Sequence, residues 1–228
     1  MDGTLALKKI FISGLILATL GGVVYGQEEL ILKLKDADPV VRMKAAQELG
    51  NQRVREAVPE LIKALNDESS GVKINVIVSL GYLRDERAIE PLINILKKDE
   101  NCGVRIMAVQ TLGRFRDERI VKALGEMVTD EDSRVRETAC RSLGKVGGTQ
   151  EVDKLLYALK NDTHTLVRQS AIDALTNLTQ MGREGGKRID IEKVIKRVRR
   201  DKDRKVRNTA QEALQRLEKV PRKERNEK

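Results

Sequence analysis

Apolar and polar positions along this chain repeat on two scales. The short scale is helical, with apolar residues three and four positions apart on one face of a 3.6-residue turn. The long scale is marked by six pairs: Val41 and Arg42, Val72 and Lys73, Val104 and Arg105, Val135 and Arg136, Val167 and Arg168, Val206 and Arg207. The steps between the basic members are 31, 32, 31, 32 and 39. Three residues after each comes Ala45, Val76, Ala108, Ala139, Ala171 or Ala210, and seven after comes Leu49, Leu80, Leu112, Leu143, Leu175 or Leu214. Six before stands an aspartate every time: Asp36, Asp67, Asp99, Asp130, Asp162 and Asp201. A fixed period of this length is the signature of a repeat array.

Each period predicts two helices. The marker pair opens helix A, whose Leu is followed in four units by Gly50, Gly81, Gly113 or Gly144, a residue suited to a left-handed helix stop. A polar turn follows, and then an amphipathic helix B starts near Ala57, Ala88, Ile120 or Val152. Pro59 and Pro91 fall in the first turn of B, where a missing N–H matters little. No segment alternates with a period of two, so no sheet is expected. One hairpin cannot bury both of its apolar stripes, but stacked hairpins can. The recurring Asp is expected to cap its helix or to pair with the Arg of its own or the next unit.

The pattern D-x-x-x-x-V-R-x-x-A-x-x-x-L-G resembles the HEAT-like repeats of the phycobilisome-lyase type, over about Gln27 to Lys219. The resemblance implies an all-α, right-handed α-solenoid of the armadillo/HEAT type. It would hold about five helical hairpins with a capping half-unit at each end. The front half-unit is a lone B helix in 27–35, and the back one a lone A helix from about Arg204. Such repeats serve many unrelated tasks, so the resemblance carries fold further than function. One HEAT-like enzyme family, the deoxyhypusine hydroxylases, binds iron through His-Glu pairs. This chain has one histidine, His164, and no such pair, so that activity is not carried over.

Composition narrows the picture. With two Phe, three Tyr and no Trp, the core must be aliphatic. The two cysteines, Cys102 and Cys140, fall on adjacent units, too far apart for the roughly 7 Å that a disulfide tolerates. Two free thiols are expected, Cys140 as a small core residue and Cys102 near a turn. A metal site built on imidazoles is excluded by count, and His164 reads as a solvated turn residue. No Gly-x-Ser-x-Gly elbow supports a serine hydrolase. No cofactor is expected.

Charge is uneven. Residues 1–182 hold 26 basic and 26 acidic residues, whereas 183–228 hold 18 and 9, so the formal +9 sits in the last fifth of the chain. The candidate contacts for a partner or polyanion are Lys187, Arg188, Lys193, Lys196, Arg197, Arg199, Arg200 and Arg204. The long step to Arg207 places an exposed loop at Thr179 to Arg188, whose GREGGKR does not have the spacing of a phosphate-binding loop. The tail 220–228 is charged. At the front, Lys8 and Lys9 precede an apolar run ending near Gly26. Residues 1–26 read as a signal peptide cleaved after Gly26. The alternative is an uncleaved membrane anchor over residues 10–25.

Taken together, these features predict an exported, non-catalytic scaffold, in the periplasm or outside the cell. It would be monomeric and would present its B-helix surface to a protein partner. Two alternatives stand beside it. One is an enzyme or enzyme subunit of the HEAT-like lyase or hydroxylase kind. The other is a basic C-terminal face that binds an anionic membrane surface or polyanion. Nucleic acid is disfavoured, because no aromatic residues are interleaved with the basic ones to stack bases.

Overall fold

The computed structural model describes residues 26–147, 151–182 and 188–219. Among them are twelve α-helices and no strand. Helix A of successive periods is α2 (Pro39–Asn51), α4 (Ser70–Leu83), α6 (Cys102–Leu112), α8 (Ser133–Val146), α10 (Thr165–Gln180) and α12 (Arg204–Glu218). Helix B is α1 (26–33), α3 (Val58–Ala64), α5 (Ile89–Lys98), α7 (Glu118–Glu126), α9 (Val152–Asn161) and α11 (Arg188–Val198). Of the leader or anchor expected at 1–26, residues 1–25 lie outside the described residues, as does the tail at 220–228. No described helix is long and apolar enough to cross a membrane.

The chain divides into two compact units between Ala88 and Ile89. In the first, α2 and α4 pack side by side and α3 packs on α4. Ala45, Leu49, Val72, Val76 and Leu80 are buried between them. In the second, α6, α8, α10 and α12 pack in series, and α5, α7, α9 and α11 lie against them. Val104, Ala108, Leu112 and their counterparts in α8 and α10 are fully buried. Each such Leu, Ile or Val contributes about 1.5–3 kcal/mol. Val41 on α2 and Leu214 on α12 stay partly exposed.

The aspartates join neighbouring repeats in a different sense from the one expected. Arg105 donates Nε and Nη2 to the Asp130 carboxylate, at 3.0 and 2.8 Å. Its Nη1 binds the carbonyls of Asp99 and Glu100, at 2.9 and 3.1 Å. Arg42 treats Asp67, Asp36 and Ala37 in the same way. Arg136 with Asp162 and Arg168 with Asp201 repeat the rung. So the Asp side chain takes the Arg of the preceding repeat, and its backbone carbonyl takes the Arg of its own. Capping falls to the residue two places later. Asp38, Asn101, Asp132 and Asp203 accept N–H bonds from the first turn of their helices. The rung Asp stands two residues too early to reach those donors and accepts the N–H of the capping residue instead.

The glycines are a second correction. Gly50, Gly81 and Gly144 lie inside their helices, and Gly113 caps α6 with φ −60°. The left-handed residues come three positions later, at Arg53, Arg84 and Gly147. Glycine is needed instead for close approach. A Cβ on Gly50 would sit 2.7 Å from Ser79 Cα, and one on Gly144 would sit 2.7 Å from Ala174 Cα. The hydroxyl of Ser79 uses that closeness and lies 2.6 Å from Ala46 O on the facing helix. The loop start also moves. Thr179 is buried within α10 and bonds back to Leu175 O, and the chain leaves the helix only at Met181. Residues 183–187 of the expected loop lie outside the described residues.

Acid should weaken the fold. Burial pushes the Asp67 and Asp162 carboxyls up, but the Arg42 and Arg136 guanidiniums and local N–H donors outweigh it and hold both below the usual range. The Arg87 side chain holds Asp85 down to about 2. A carboxyl depressed in the folded state adds stability that is present above its unfolded pKa, near 3.9, and is lost as pH falls through the folded value. Urea midpoints should therefore be flat above about pH 5 and fall steadily between about pH 4 and 2. A midpoint that held or rose on acidification would contradict the rung assignment.

Candidate binding surfaces

Two surfaces in the second unit stand out, and both are built on B helices. The first is a groove of about 480 Å³ between α7, with its 3-10 extension Met127–Thr129, and α9. Gly125, Glu126, Thr129, Asp153, Lys154 and Tyr157 line it. Tyr157 is 60% exposed, an unusual place for one of only five aromatic side chains in the chain. Glu126 is held by Lys97 at 2.7 Å. Beneath the groove lies the buried carboxylate of Glu151. Its Oε2 has no hydrogen bond among the described residues, and Lys154 Nζ at 2.9 Å is its counter-ion. Any Cβ on Gly125 would run into this carboxylate, so glycine there is what admits it.

Sequence reading did not single out this groove. Its only legible signals were a tyrosine in an otherwise aliphatic chain and a glycine within helix B. Neither spacing nor periodicity reveals that Gly125 faces Glu151, which lies in the next repeat.

The second surface is the basic one that the charge asymmetry pointed to. Lys187 lies outside the described residues, as does the side chain of Arg188, which opens α11. Lys193, Lys196 and Arg197 are exposed on α11, Arg199 and Arg200 in the turn after it, and Arg204 at the start of α12. Lys193, Lys196, Arg197 and Arg200 share one helical stripe, opposite the buried Ile191, Val194 and Ile195. Arg200 N bonds to Arg197 O, which keeps the stripe in helical register. Lys202 and Lys205 add two exposed cations that the sequence reading left out. Two of the nearby acids turn inward, while Asp190 is exposed and Glu192 half-buried on α11. Asp201 holds Arg168, while Asp203 caps α12 and accepts from Thr165 Oγ1 at 2.7 Å. No described carboxylate pairs with any of these exposed cations.

Other candidates resolve simply. His164 is exposed at the start of α10, with Nδ1 3.1 Å from Arg136 Nη2 and from Thr163 Oγ1. Among the described residues, no cluster of three or more His, Cys, Asp or Glu is arranged to hold a metal. Both cysteines are free; Cys140 is buried and Cys102 half-buried. Burial pushes the Cys140 thiol up to about 12. Cys102 lies 2.9 Å from Arg134 Nη2 in the first turn of α6. A thiol reagent should therefore modify one cysteine in the native protein and both in denaturant, with Cys102 identified by peptide mapping. Rapid native modification of Cys140 would contradict its burial.

Comparison with known proteins agrees with this architecture. A family model for HEAT repeats matches residues 28–101 and 89–176. The chain belongs to the HEAT-repeat family. No curated protein matches it. Among solved structures, it is similar to the complex of CpcE and CpcF of phycocyanin lyase from Nostoc sp. PCC7120. The TM-score is 0.58 and the identity 25%, over 84% of this chain and 76% of that one. A designed armadillo repeat protein in complex with the peptide (KR)4 matches at TM-score 0.60 and 18% identity, over 83% and 98%. An engineered protein matches at TM-score 0.60 and 20% identity, over 85% and 96%. These likenesses fix the class as an all-α repeat solenoid of the HEAT and armadillo kind.

Proposed function

We propose that this protein is an exported, non-catalytic HEAT-repeat scaffold that holds a protein partner on its B-helix surface. The observation that carries the reading is the groove between α7 and α9, with Tyr157 exposed beside it. Aromatic side chains that stand in solvent at the edge of an apolar groove are typical anchors of protein recognition. Repeat solenoids commonly engage protein partners, and the designed armadillo neighbour holding a peptide is in keeping with that use. Export rests on the apolar run before Gly26, preceded by Lys8 and Lys9.

The test is affinity capture from the cell envelope with wild-type protein and with Tyr157→Ala and Asp153→Lys variants. A partner retained by wild type and lost by both folded variants supports the reading. Identical recovery with all three would sink it. The mature N-terminus, read by mass spectrometry, tests export independently.

The likeness to phycocyanin lyase favours one second reading, a subunit of a lyase-type enzyme. It requires that purified protein bind a bilin chromophore. A preparation that stays colourless after incubation with bilin removes it.

A further inference from the structure

We propose that the basic end of the second unit docks onto an anionic phospholipid bilayer. The inference is independent of the partner groove and uses different residues.

Charge is unbalanced at this end of the unit. Across α11 and the turn into α12, Lys193, Lys196, Arg197, Arg199, Arg200 and Lys202 are exposed with no described carboxylate to pair with. Several arginines elsewhere in this unit are held in place. Arg105, Arg136 and Arg168 sit in rungs, and even the exposed Arg119 and Arg134 grip Asp117 and Asp132. Of the four acids in the segment, Asp201 and Asp203 are spent on Arg168, Thr165 and the first turn of α12, and Asp190 and Glu192 on α11 are outnumbered by the exposed cations. Repulsion among free cations on one stripe is relieved by an external polyanion.

The chemistry chooses among polyanions. The sequences of α11 and α12 contain no aromatic residue, so nothing there can stack bases. On the export reading, the apolar run before Gly26, as leader or as anchor, would bring each copy of the chain to a bilayer. The apolar side of α11 is already buried, through Ile191, Val194 and Ile195. That leaves no face to insert among acyl chains, so attachment must be electrostatic and must respond to salt. Clustered Lys and Arg near an anionic leaflet have this behaviour.

Sedimentation of the full-length protein with vesicles tests the proposal. The probes are phosphatidylcholine vesicles with and without phosphatidylglycerol. Wild type should bind the anionic vesicles more tightly and be released as salt rises from about 0.1 to 1 M, where the screening length drops from about 10 to 3 Å. The triple variant Arg197→Glu, Arg199→Glu, Arg200→Glu should bind them at least roughly 100-fold more weakly. Residues 1–25 are the same in both proteins, so the difference reports on the basic face alone. A second variant, Lys193→Glu with Lys196→Glu, should reproduce the fall and guards against misfolding of the first. Equal binding to neutral vesicles, full binding by both variants, or tighter binding to an oligonucleotide or polyglutamate than to the anionic vesicles would each overturn the proposal.

Discussion

Arg105→Met should destabilise the second unit by about 3–5 kcal/mol, because it strips the partner from a buried carboxylate. Only 6% of the Arg105 side chain and 8% of that of Asp130 are exposed. The loss also frees the carbonyls of Asp99 and Glu100, which Nη1 holds. Urea titration followed by circular dichroism measures the effect. Two comparisons isolate the cause. Arg119 is half exposed where it meets Asp117 and Glu90, so Arg119→Ala should change stability by no more than about 1 kcal/mol. Replacing both partners, as Arg105→Met with Asp130→Leu, should recover much of the deficit, since an apolar pair of similar volume leaves no stranded charge. A double variant as weak as the single one would show that the carbonyl contacts, rather than the carboxylate, hold the joint.

The second large effect is expected at Gly144. Its added methyl would lie 2.7 Å from Ala174 Cα and 2.9 Å from its Cβ, so α8 and α10 would have to part. Overpacking of this kind costs about 1–3 kcal/mol. Alanine regains about 1 kcal/mol of helix propensity, so Gly144→Ala should destabilise by a net of up to about 2 kcal/mol, and Gly144→Val by more. Gly113 supplies the contrast. A Cβ there meets nothing closer than 3.5 Å, and its φ of −60° suits alanine. Gly113→Ala should be neutral or stabilising. If these glycines were left-handed helix stops, both substitutions would destabilise alike, so the pair of melting curves separates the two accounts.

These two cases also mark how far the sequence could be read. The period, the helix pairs and the aliphatic core followed from spacing alone, because an apolar face must be covered and only a neighbouring repeat can cover it. The importance of Arg and Asp was visible too. The direction of their pairing was not, since an Asp six residues before an Arg is near it in sequence whichever repeat it serves. The recurrent glycine was legible as a constraint, but its cause was misread. A glycine at a helix end and a glycine at a helix crossing look the same until the facing Ser79 or Ala174 is in place.

For the candidate sites, the basic stretch was legible as a charge imbalance. Which of its residues share a stripe became clear only with the helix boundaries of α11. The groove at Tyr157 was not legible, because it joins residues of two repeats, and Glu151, whose carboxylate lies against Gly125, carries no repeated signature.

The Arg–Asp rungs have a consequence for how such a chain can change length. Each rung asks the same thing of whatever follows it: an aspartate at one fixed place in the next hairpin. The joints are therefore interchangeable. Arg105 would accept Asp162 as readily as Asp130 if the intervening hairpin were excised in register. Losing or gaining a whole period leaves a joint of the same kind as before, and the Arg168 rung, which spans 33 residues where the others span 25 or 26, forms across a longer connection as well. What such a chain has to keep as it grows or shrinks is the place of the aspartate against the arginine, not the number of residues strung between them.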